Sequence, residues 1–558
     1  MSSVVTLPGA ANPQRGLRKS MERVLAELEH VSKDPAPDPV HDLRVAIRRC
    51  RSVAAVLQEV DPDPAWRQLR QLPKKLFRRL GALRDAQVID GWVKQLAPSD
   101  DPLRTRLHAE FAAKEPELRE DVLNAVKKFD EKSWARLERK VRRRVRLVPP
   151  SGLAAQCLAV ERIDDARDLH ARAQRTDNPK AWHALRIGIK RFRYTVENLL
   201  PEQYGLWGRN LKRLQDLLGE VHDLDVLAAV LKDVCARDAK EAQDEKDALA
   251  ATQIQHAWQE TIHRERSQRV ETYRQLTLGK TSLWNDWRHG LPQGQRLALA
   301  SMARLRATAR ATDTHPKRTA QVSRFSIHLF DALRRAHAAP AFGEQALRRV
   351  MRAAARLQGL DRIGRAKTSN RPTPKAARRF LRDLPMPPSW TYEEWDLLGW
   401  AIRFHRGSEP TADRGTFSKL LDEQQKNIQA IAGVLRLARA LRKCGVESCD
   451  GLHAEKTADA IILTVPGLTD SVENATRLAA AKHLLDTYVA RPLVLKTAPK
   501  VERADPLPDN AQNVIAVLGD LESHRGPVLE PSNESSAEPT SAQSSESHPR
   551  AAAAGTSN

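Results

Sequence analysis

The sequence predicts a predominantly α-helical fold, and two observations support this prediction. Apolar and charged residues alternate at the period of an α-helix through nearly all of the first 290 residues, which is typical of helices with one buried face. In addition, a helical segment that begins at His41 occurs a second time, beginning at His183. We therefore expect a duplicated helical unit, followed by a second region after a break at "RHGLPQGQR", residues 288–296.

The first copy of the repeated helix contains "HDLRVAIRRCR", residues 41–51. On a helix, His41, Arg44, Arg48 and Arg51 lie within about 80° of one another, so that these basic groups share one stripe. The apolar residues on the opposite face are Leu43, Ala46, Ile47, Cys50, Val53, Ala54 and Leu57. Like charges four residues apart destabilise a helix by a few tenths of a kcal/mol per pair. The stripe therefore predicts an anionic partner that offsets this repulsion.

The second copy contains "HALRIGIKRFR", residues 183–193, and is shifted by 142 residues. His183, Arg186, Lys190, Arg191 and Arg193 fall on His41, Arg44, Arg48, Arg49 and Arg51. The matching apolar face consists of Leu185, Gly188, Ile189, Phe192, Thr195, Val196 and Leu199. Both faces of the helix are thus repeated, which predicts an internal duplication.

A second pair of segments follows the repeated helices. "LGALRDAQV" (80–88) and "LGEVHDLDV" (218–226) each contain leucine and glycine followed by a basic residue and aspartate, Arg84-Asp85 and His222-Asp223. The basic pairs Lys74-Lys75 and Lys212-Arg213 precede the two glycines by the same number of residues. We expect Asp85 and Asp223 to pair with neighbouring arginines rather than to act as general bases.

These residues resemble the CHAD family, the conserved histidine α-helical domain, over about residues 10–290. The resemblance implies an antiparallel helical bundle with pseudo-twofold symmetry, whose basic stripes line a central groove or pore and bind inorganic polyphosphate. The polyphosphate-binding residues expected on this basis are His41, Arg44, Arg48, Arg49, Arg51, Lys74, Lys75, Arg84, His183, Arg186, Lys190, Arg191, Arg193, Lys212, Arg213 and His222. We expect His41 and His183 to contact the ligand as protonated imidazoles.

The composition agrees with a polyanionic partner. The chain has 558 residues and a net charge of +22, and the excess of cations lies before residue 501 because the remaining segment carries nine acidic and three basic residues. Such a charge favours polyphosphate, nucleic acid or an anionic surface. The five cysteines are odd in number and fit a reducing compartment. No segment approaches eighteen uninterrupted apolar residues, which predicts no membrane insertion. We expect a cytoplasmic protein, associated with polyphosphate granules.

Proline-rich and glycine-rich breaks divide the chain. We predict a flexible N-terminus (1–9), two helical repeats (about 10–148 and 152–290), a second domain (296–500) and a disordered Ser-, Glu- and Ala-rich tail (501–558). Among the basic clusters, "RKVRRRVR" is interpreted either as a solvated helix end or as an extension of the anion groove.

The second domain resembles the HD-type C-terminal domain of exopolyphosphatase/guanosine-pentaphosphate phosphatases. The resemblance is based on "QVSRFSIHLFDAL" (321–333), "RRVMRAAARLQGLDRIG" (348–364), "LLGWAIRFHRGSEP" (397–410) and "VLRLARAL" (434–441). It implies a helical domain that closes with a small mixed segment. The runs "ADAIILTVPG" and "RPLVLKT" are predicted to form its short strands.

The metal ligands of an active HD site are replaced in this sequence. Gln321 stands at the first histidine position, Gln358 and Gly359 at the His-Asp pair, and Arg439 at the last aspartate. We interpret the remaining His328, His405, Asp331 and Asp361 as scattered side chains rather than ligands. The prediction is therefore a non-enzymatic polyphosphate-binding protein without metal or cofactor. The alternatives are a nucleic-acid-binding protein, which the 5% aromatic content disfavours, and a metal-dependent phosphohydrolase acting on polyphosphate or guanosine pentaphosphate.

Overall fold

The structure is a computed structural model that describes residues 13–241, 245–362, 374–411 and 415–499. Within this part of the chain the secondary structure is mostly α-helical, which confirms the predicted fold class. The described residues before position 500 form one compact unit. The predicted flexible N-terminus (1–9) and disordered tail (501–558) lie outside the described residues.

The N-terminal part of the unit consists of helices. Their bounds are α1 Pro13–Lys33, α2 Pro37–Leu57, α3 Pro64–Gln71, α4 Lys74–Leu96, α5 Pro102–Lys127, α6 Glu131–Arg144, α7 Leu153–Thr176, α8 Pro179–Leu199, α9 Pro201–Glu241, α10 Glu245–Thr277 and α11 Leu283–His289. A 3₁₀ turn, Val145–Leu147, precedes the predicted break between the repeats.

The duplication is visible in the helix bounds. The shift of 142 residues that relates the two basic stripes also carries both ends of α2 exactly onto the ends of α8. Proline occupies the first helical position in each of the two helices, where its missing N–H would have no intrahelical partner. α2 packs against α8, and α4 packs against α9. The two repeats therefore face each other through equivalent helices.

The predicted apolar faces are confirmed. All seven residues of the α2 face and all seven of the α8 face are buried. The later segments, around Gly81 and Gly219, are related by a shift of 138 rather than 142 residues. In the first repeat, α2 is followed by the separate helix α3, whereas in the second repeat α9 begins two residues after α8 ends. The shorter connection accounts for the change in shift.

The C-terminal part of the unit contains helices and one small sheet. The bounds are α12 Gly294–Thr312, α13 Pro316–Arg335, α14 Gln345–Leu357, α15 Pro374–Asp383, α16 Tyr392–Phe404, α17 Asp422–Lys443, β1 His453–Lys456, β2 Ile461–Pro466, α18 Val472–Val489 and β3 Leu493–Ala498. 3₁₀ turns are found at Pro340–Gly343 and Gln358–Arg362.

The sheet has the strand order β1-β2-β3. β1 and β2 are antiparallel, whereas β2 and β3 are parallel and are connected through α18. Both predicted strand segments are confirmed, as β2 and β3. β1 was not predicted, because its sequence "HAEK" is polar and mostly exposed and has no strand-like alternation.

A buried ion pair connects the repeats to the C-terminal helices. α12 packs on α7, and the Arg304 guanidinium, only 3% exposed, lies 3.2 Å from Glu161 Oε1. Arg304 also donates to the Pro385 carbonyl at 3.0 Å. Burial raises the pKa of Glu161 to about 7, against the opposing effect of Arg304.

In the described part of the chain, no helix is long and apolar enough to cross a membrane.

Candidate anion-binding cavity

The two basic stripes meet at a cavity of about 510 Å³ between α2, α4, α8 and α9. Its basic lining residues are His41, Arg44, Arg48, Arg84, Arg186, Lys190 and His222. All seven are among the residues that the sequence predicted. Three carboxylates, Asp85, Asp216 and Asp223, also line the cavity, together with apolar side chains. Both repeats therefore contribute cations to one site.

A glycine determines the position of the Arg44 guanidinium. A Cβ atom added at Gly81 of α4 would lie 2.5 Å from Arg44 Nη1, closer than real contacts allow. Nη1 lies 3.5 Å from the Phe77 carbonyl oxygen, to which it donates, and Nη2 lies 3.6 Å from Asp85 Oδ1. The guanidinium carbon is also 4.9 Å from the centroid of the Phe77 ring, a cation–π distance. The absence of a side chain at position 81 thus lets Arg44 lie against α4.

The equivalent pair in the second repeat is looser. A Cβ atom at Gly219 of α9 would lie 4.0 Å from Arg186 Nε, an ordinary contact distance. Arg186 Nε is buried, and among the described residues it has no hydrogen-bond partner. Buried polar groups are normally hydrogen-bonded. An acceptor that enters the cavity could therefore satisfy this donor.

Lys190 lies where the positive charges of both repeats act together. Burial, together with the nearby guanidinium groups of Arg186, Arg48 and Arg44, lowers the pKa of its ammonium to about 8. Within the described residues, no carboxylate lies within ion-pair distance of Lys190. The surroundings therefore disfavour the protonated form of Lys190, and a bound anion would favour it.

Two imidazoles from successive helices of the second repeat are in contact. Nδ1 of His183 and Nδ1 of His222 are 3.3 Å apart, and the ring centroids are 4.5 Å apart. Burial, together with the nearby Arg186, lowers the pKa of His222 to about 4. Burial and Arg186 also lower the pKa of His183. The expected protonated imidazole at His183 is therefore not favoured by the surrounding protein at pH 7, because burial and nearby cations disfavour a further charge.

The equivalent carboxylates Asp85 and Asp223 differ in their exposure and in their ion-pair partners. Asp85 is mostly exposed and lies near Arg44, as expected. Burial and the nearby Asp85 raise the pKa of Asp223 to about 6, against the opposing effect of Arg186. Among the described residues, Asp223 has no ion-pair partner within 4 Å, so the expected pairing with an arginine is wrong at this position. Asp216 is engaged by Lys212 at 2.7 Å.

The remaining predicted residues do not line the cavity. Those exposed outside its lining are Arg49, Lys74, Lys75, Arg191, Lys212 and Arg213. Arg51 lies over the Phe77 ring at 4.5 Å from the centroid, and Arg193 donates to Gln215 Oε1 at 3.0 Å. His183 is likewise outside the lining, although it contacts the lining residue His222. For these nine residues, contact with a ligand stays a prediction.

Sequence reasoning missed Phe77 as part of the site. Its ring supports both Arg44 and Arg51. Phe77, Gly81, Arg84 and Val88 succeed one another at intervals of three or four residues on α4, which places them on one helix face. The spacing from Gly81 could therefore have identified Phe77.

In the C-terminal region, two of the replaced HD positions are neighbours. Arg439 Nη1 lies 3.4 Å from Oε1 of the buried Gln358. An added Cβ at Gly359 would lie 3.2 Å from the Asp313 carboxyl group. In the ranges that the structure describes, no group of three or more His, Cys, Asp or Glu side chains could hold a metal ion. The side chain of Asp361 lies outside the described residues.

The other residues interpreted as scattered in that region lie on α13 and at the end of α16. His328 and Asp331 are on α13, and burial lowers the pKa of His328. Asp331 Oδ1 is 3.3 Å from Arg348 Nε. His405 is fully buried at the end of α16, and its Nδ1 lies 2.7 Å from the Ile402 carbonyl oxygen.

The fold and cavity define a duplicated helical bundle around a basic centre. Residues 15–232 match the family model described as the CHAD domain, which confirms this part of the predicted resemblance. Among solved structures, one similar chain is the CHAD domain from the plant Ricinus communis, at 19% identity, with a TM-score of 0.33, covering 52% of this chain and 94% of that chain. A comparison with curated proteins found no match. The CHAD match ends before the C-terminal helices, whose resemblance to an HD-type domain stays a prediction.

Proposed function

We propose that this protein binds inorganic polyphosphate without hydrolysing it, and that the cavity between α2, α4, α8 and α9 is the binding site. The observation that supports this proposal most directly is the convergence of five cationic side chains from both repeats on one cavity. They are Arg44, Arg48, Arg84, Arg186 and Lys190. The CHAD match over residues 15–232 agrees with this ligand.

The types of side chain suit successive phosphate groups. Guanidinium groups donate forked pairs of hydrogen bonds to phosphate oxygens, whereas an ammonium acts as a compact charge. Arg44 is held by its contacts with α4 and the Phe77 ring, so that little side-chain entropy is lost when it binds a ligand. The unsatisfied Nε of Arg186 supplies a further donor.

The nucleic-acid alternative is less well supported. Proteins that bind single strands use exposed aromatic rings on which bases stack. Phe77 is the aromatic residue of the cavity lining, and its ring is approached by both Arg44 and Arg51. The ring is therefore already used by guanidinium groups of the protein, and the site favours an anion without bases.

The absence of hydrolysis is also part of the proposal. The described residues contain no cluster of metal-ligating side chains, and Arg439 lies beside Gln358 at positions where the HD resemblance would require ligands. A guanidinium group has no acceptor for a metal ion and repels cations. Cytoplasmic location and association with polyphosphate granules are likewise retained as predictions.

The test replaces Arg44, Arg48, Arg186 and Lys190 together by alanine in the full-length chain. Polyphosphate affinity should fall at least ~100-fold, because hydrogen bonds to charged groups contribute about 1.5–3 kcal/mol each. A matched variant removes three arginines and one lysine that are exposed and lie outside the cavity: Arg67, Arg172, Arg175 and Lys180. Binding by titration calorimetry should be nearly unchanged in this control. Equal losses in the two variants would contradict the proposed site.

A competition experiment tests the ligand class. Labelled polyphosphate is displaced by unlabelled polyphosphate, single-stranded DNA and RNA at matched charge and salt concentration. Polyphosphate should compete best, and its affinity should decrease steeply with salt because binding releases counterions. Equal competition by all three polymers would mean that the protein is a general polyanion binder.

A further inference from the structure

A second basic cavity lies in the C-terminal part of the chain, outside the CHAD match. It has a volume of about 490 Å³ and is lined by α15, α16 and the segment 415–417. Its charged lining residues are Lys375, Arg378, Arg379, Arg382 and Arg403. No carboxylate belongs to this lining as described. The cavity is thus more uniformly positive than the one between the repeats.

Four of the five cations form one stripe on α15. Lys375, Arg378, Arg379 and Arg382 follow one another at the spacing i, i+3, i+4 and i+7, which places them on one helix face. The opposite face is anchored by the buried Ala377 and Leu381. This is the same arrangement as on α2 and α8, since packing of an apolar face holds like charges together on the other.

The floor of the cavity is aromatic and fixes one guanidinium group. The Arg378 guanidinium carbon lies 3.4 Å from the centroid of the Trp400 ring. Trp400 in turn stacks on Phe404 with an interplanar angle of 6° and is approached edge-on by Phe417. The three rings are only 6%, 3% and 1% exposed. Stacking leaves the edges of a guanidinium free to donate.

Two ion pairs with carboxylates are found on α15 within the described residues. Arg378 Nη2 is 3.3 Å from Asp396 Oδ1, and Arg382 Nε is 3.9 Å from the exposed Asp383. Lys375 and Arg379 are exposed and have no ion pair with any carboxylate in the described ranges. The positive charge of Lys375 and Arg379 is therefore not compensated by an ion pair within these ranges, and an anion would reduce the repulsion along α15.

We propose that this cavity is a second anion site, which takes short linear inorganic phosphates of the tripolyphosphate class. Several cations within one helix face suit an anion that carries several linked phosphate groups, because each phosphate can accept from a separate side chain. A nucleotide is disfavoured, since the buried rings of Trp400, Phe404 and Phe417 offer no open face for a base. This inference does not depend on the function proposed for the cavity between the repeats.

The experiment separates the two cavities in the full-length protein. Arg44→Ala with Arg186→Ala removes central cations of the first cavity, and tripolyphosphate binding to this background is measured by titration calorimetry. Adding Arg379→Ala and Arg382→Ala should weaken the remaining binding at least 10-fold. The conservative changes Arg379→Lys and Arg382→Lys should retain most of it. A control that replaces the exposed Arg172 and Arg175 by alanine removes the same charge elsewhere and should have little effect.

The outcomes distinguish this site from the proposed function. If the background variant binds no tripolyphosphate, the second site is refuted while the first remains supported. If the background binds as well as the wild type, and Arg379→Ala with Arg382→Ala abolishes binding, the second site is supported and the first is contradicted. Tighter binding of ATP or GTP than of tripolyphosphate would overturn the stated ligand class. The thermal melts of the α15 variants should coincide with that of the Arg44→Ala and Arg186→Ala background, because Arg379 and Arg382 are exposed.

Discussion

Gly81→Ala tests whether the position of the Arg44 guanidinium determines anion affinity. The new Cβ would lie 2.5 Å from Arg44 Nη1, so that one of the two groups must move. The obstructing atom is the end of a long, flexible side chain, and a shift of the guanidinium is therefore easier than a shift of α4. Position 81 is inside a helix, where alanine is more stabilising than glycine by roughly 0.5–1 kcal/mol.

The variant should therefore bind less tightly without being less stable. Displacement of Arg44 removes its hydrogen bonds to a bound phosphate, and hydrogen bonds to charged groups contribute about 1.5–3 kcal/mol. This range corresponds to a loss of affinity of roughly 10- to 150-fold. Titration calorimetry with polyphosphate measures the affinity, and urea unfolding measures the free energy of unfolding, which should be unchanged or slightly higher.

The second repeat supplies a matched control. At Gly219 the added Cβ would meet Arg186 Nε only at 4.0 Å, so Gly219→Ala should leave affinity nearly unchanged. An unchanged affinity in Gly81→Ala would refute the proposed role of Arg44 as a ligand contact. A large loss of stability in Gly81→Ala would show that α4 and α2 cannot accommodate the methyl group by moving the guanidinium.

Three further predictions concern pH, stability and hydrolysis. Affinity for polyphosphate should fall as pH rises through about 8, because a bound anion favours the protonated form of Lys190; it should rise below about pH 6, where Asp223 becomes neutral. The role of Lys190 is checked by proton uptake on binding at pH 8.5, measured by calorimetry in buffers of different ionisation enthalpy. An affinity that does not change with pH would contradict the roles of both Lys190 and Asp223. Arg304→Ala should lower the free energy of unfolding by about 3–5 kcal/mol, since it leaves Glu161 buried without its partner. Arg304→Lys should lower the free energy of unfolding by less. A change below ~1 kcal/mol in urea unfolding of Arg304→Ala would be inconsistent with a structural ion pair. Purified protein should release no phosphate from polyphosphate or guanosine pentaphosphate with Mg²⁺ or Mn²⁺; metal-dependent release that disappears in Asp361→Ala would make the protein an enzyme.

The repeated helices were predictable because two independent signals agree in them. The burial of Ile47 and Ile189 follows from the helical period, and the exact correspondence of α2 with α8 follows from the shift between the two basic stripes. A period alone specifies which face is buried, whereas a duplication also specifies which two helices are equivalent. The convergence of Arg44 and Arg186 on one cavity was expected from the CHAD resemblance, because a duplication alone does not specify how two equivalent helices pack.

The details of the site depend on tertiary packing, which a single helix does not encode. Arg51 shares the angular stripe of Arg44, yet it lies over Phe77 and outside the cavity lining, because α4 packs against α2 at that point. The lowered pKa of His222 likewise arises from burial and from Arg186 on another helix. Such shifts depend on distances between elements that are far apart in the chain, and residue spacing gives no access to them.

The second basic cavity could not be identified from the sequence alone. The stripe of Lys375 and Arg379 on α15 has the spacing of the stripes on α2 and α8, but it has no second copy to distinguish it from an ordinary solvated helix face. What distinguishes it is the stacking of Arg378 on Trp400, a contact between helices. A charge pattern that occurs once therefore needs the packing of its neighbours before it indicates a site.

The assembly of cations in the first cavity reduces stability in the absence of an anion. The pKa of Lys190 falls from its ordinary value of 10.5 to about 8, and one pKa unit corresponds to about 1.4 kcal/mol, so the shift represents about 3 kcal/mol of destabilisation of the protonated group. The buried faces of α2 and α8 offset this cost because they pack independently of what their opposite faces carry. A bound anion recovers much of the same free energy as affinity, since it favours the protonated form. Residues that reduce stability while serving binding are common in functional sites. Anion binding therefore explains the presence of the basic stripe in both repeats more simply than a contribution to folding does.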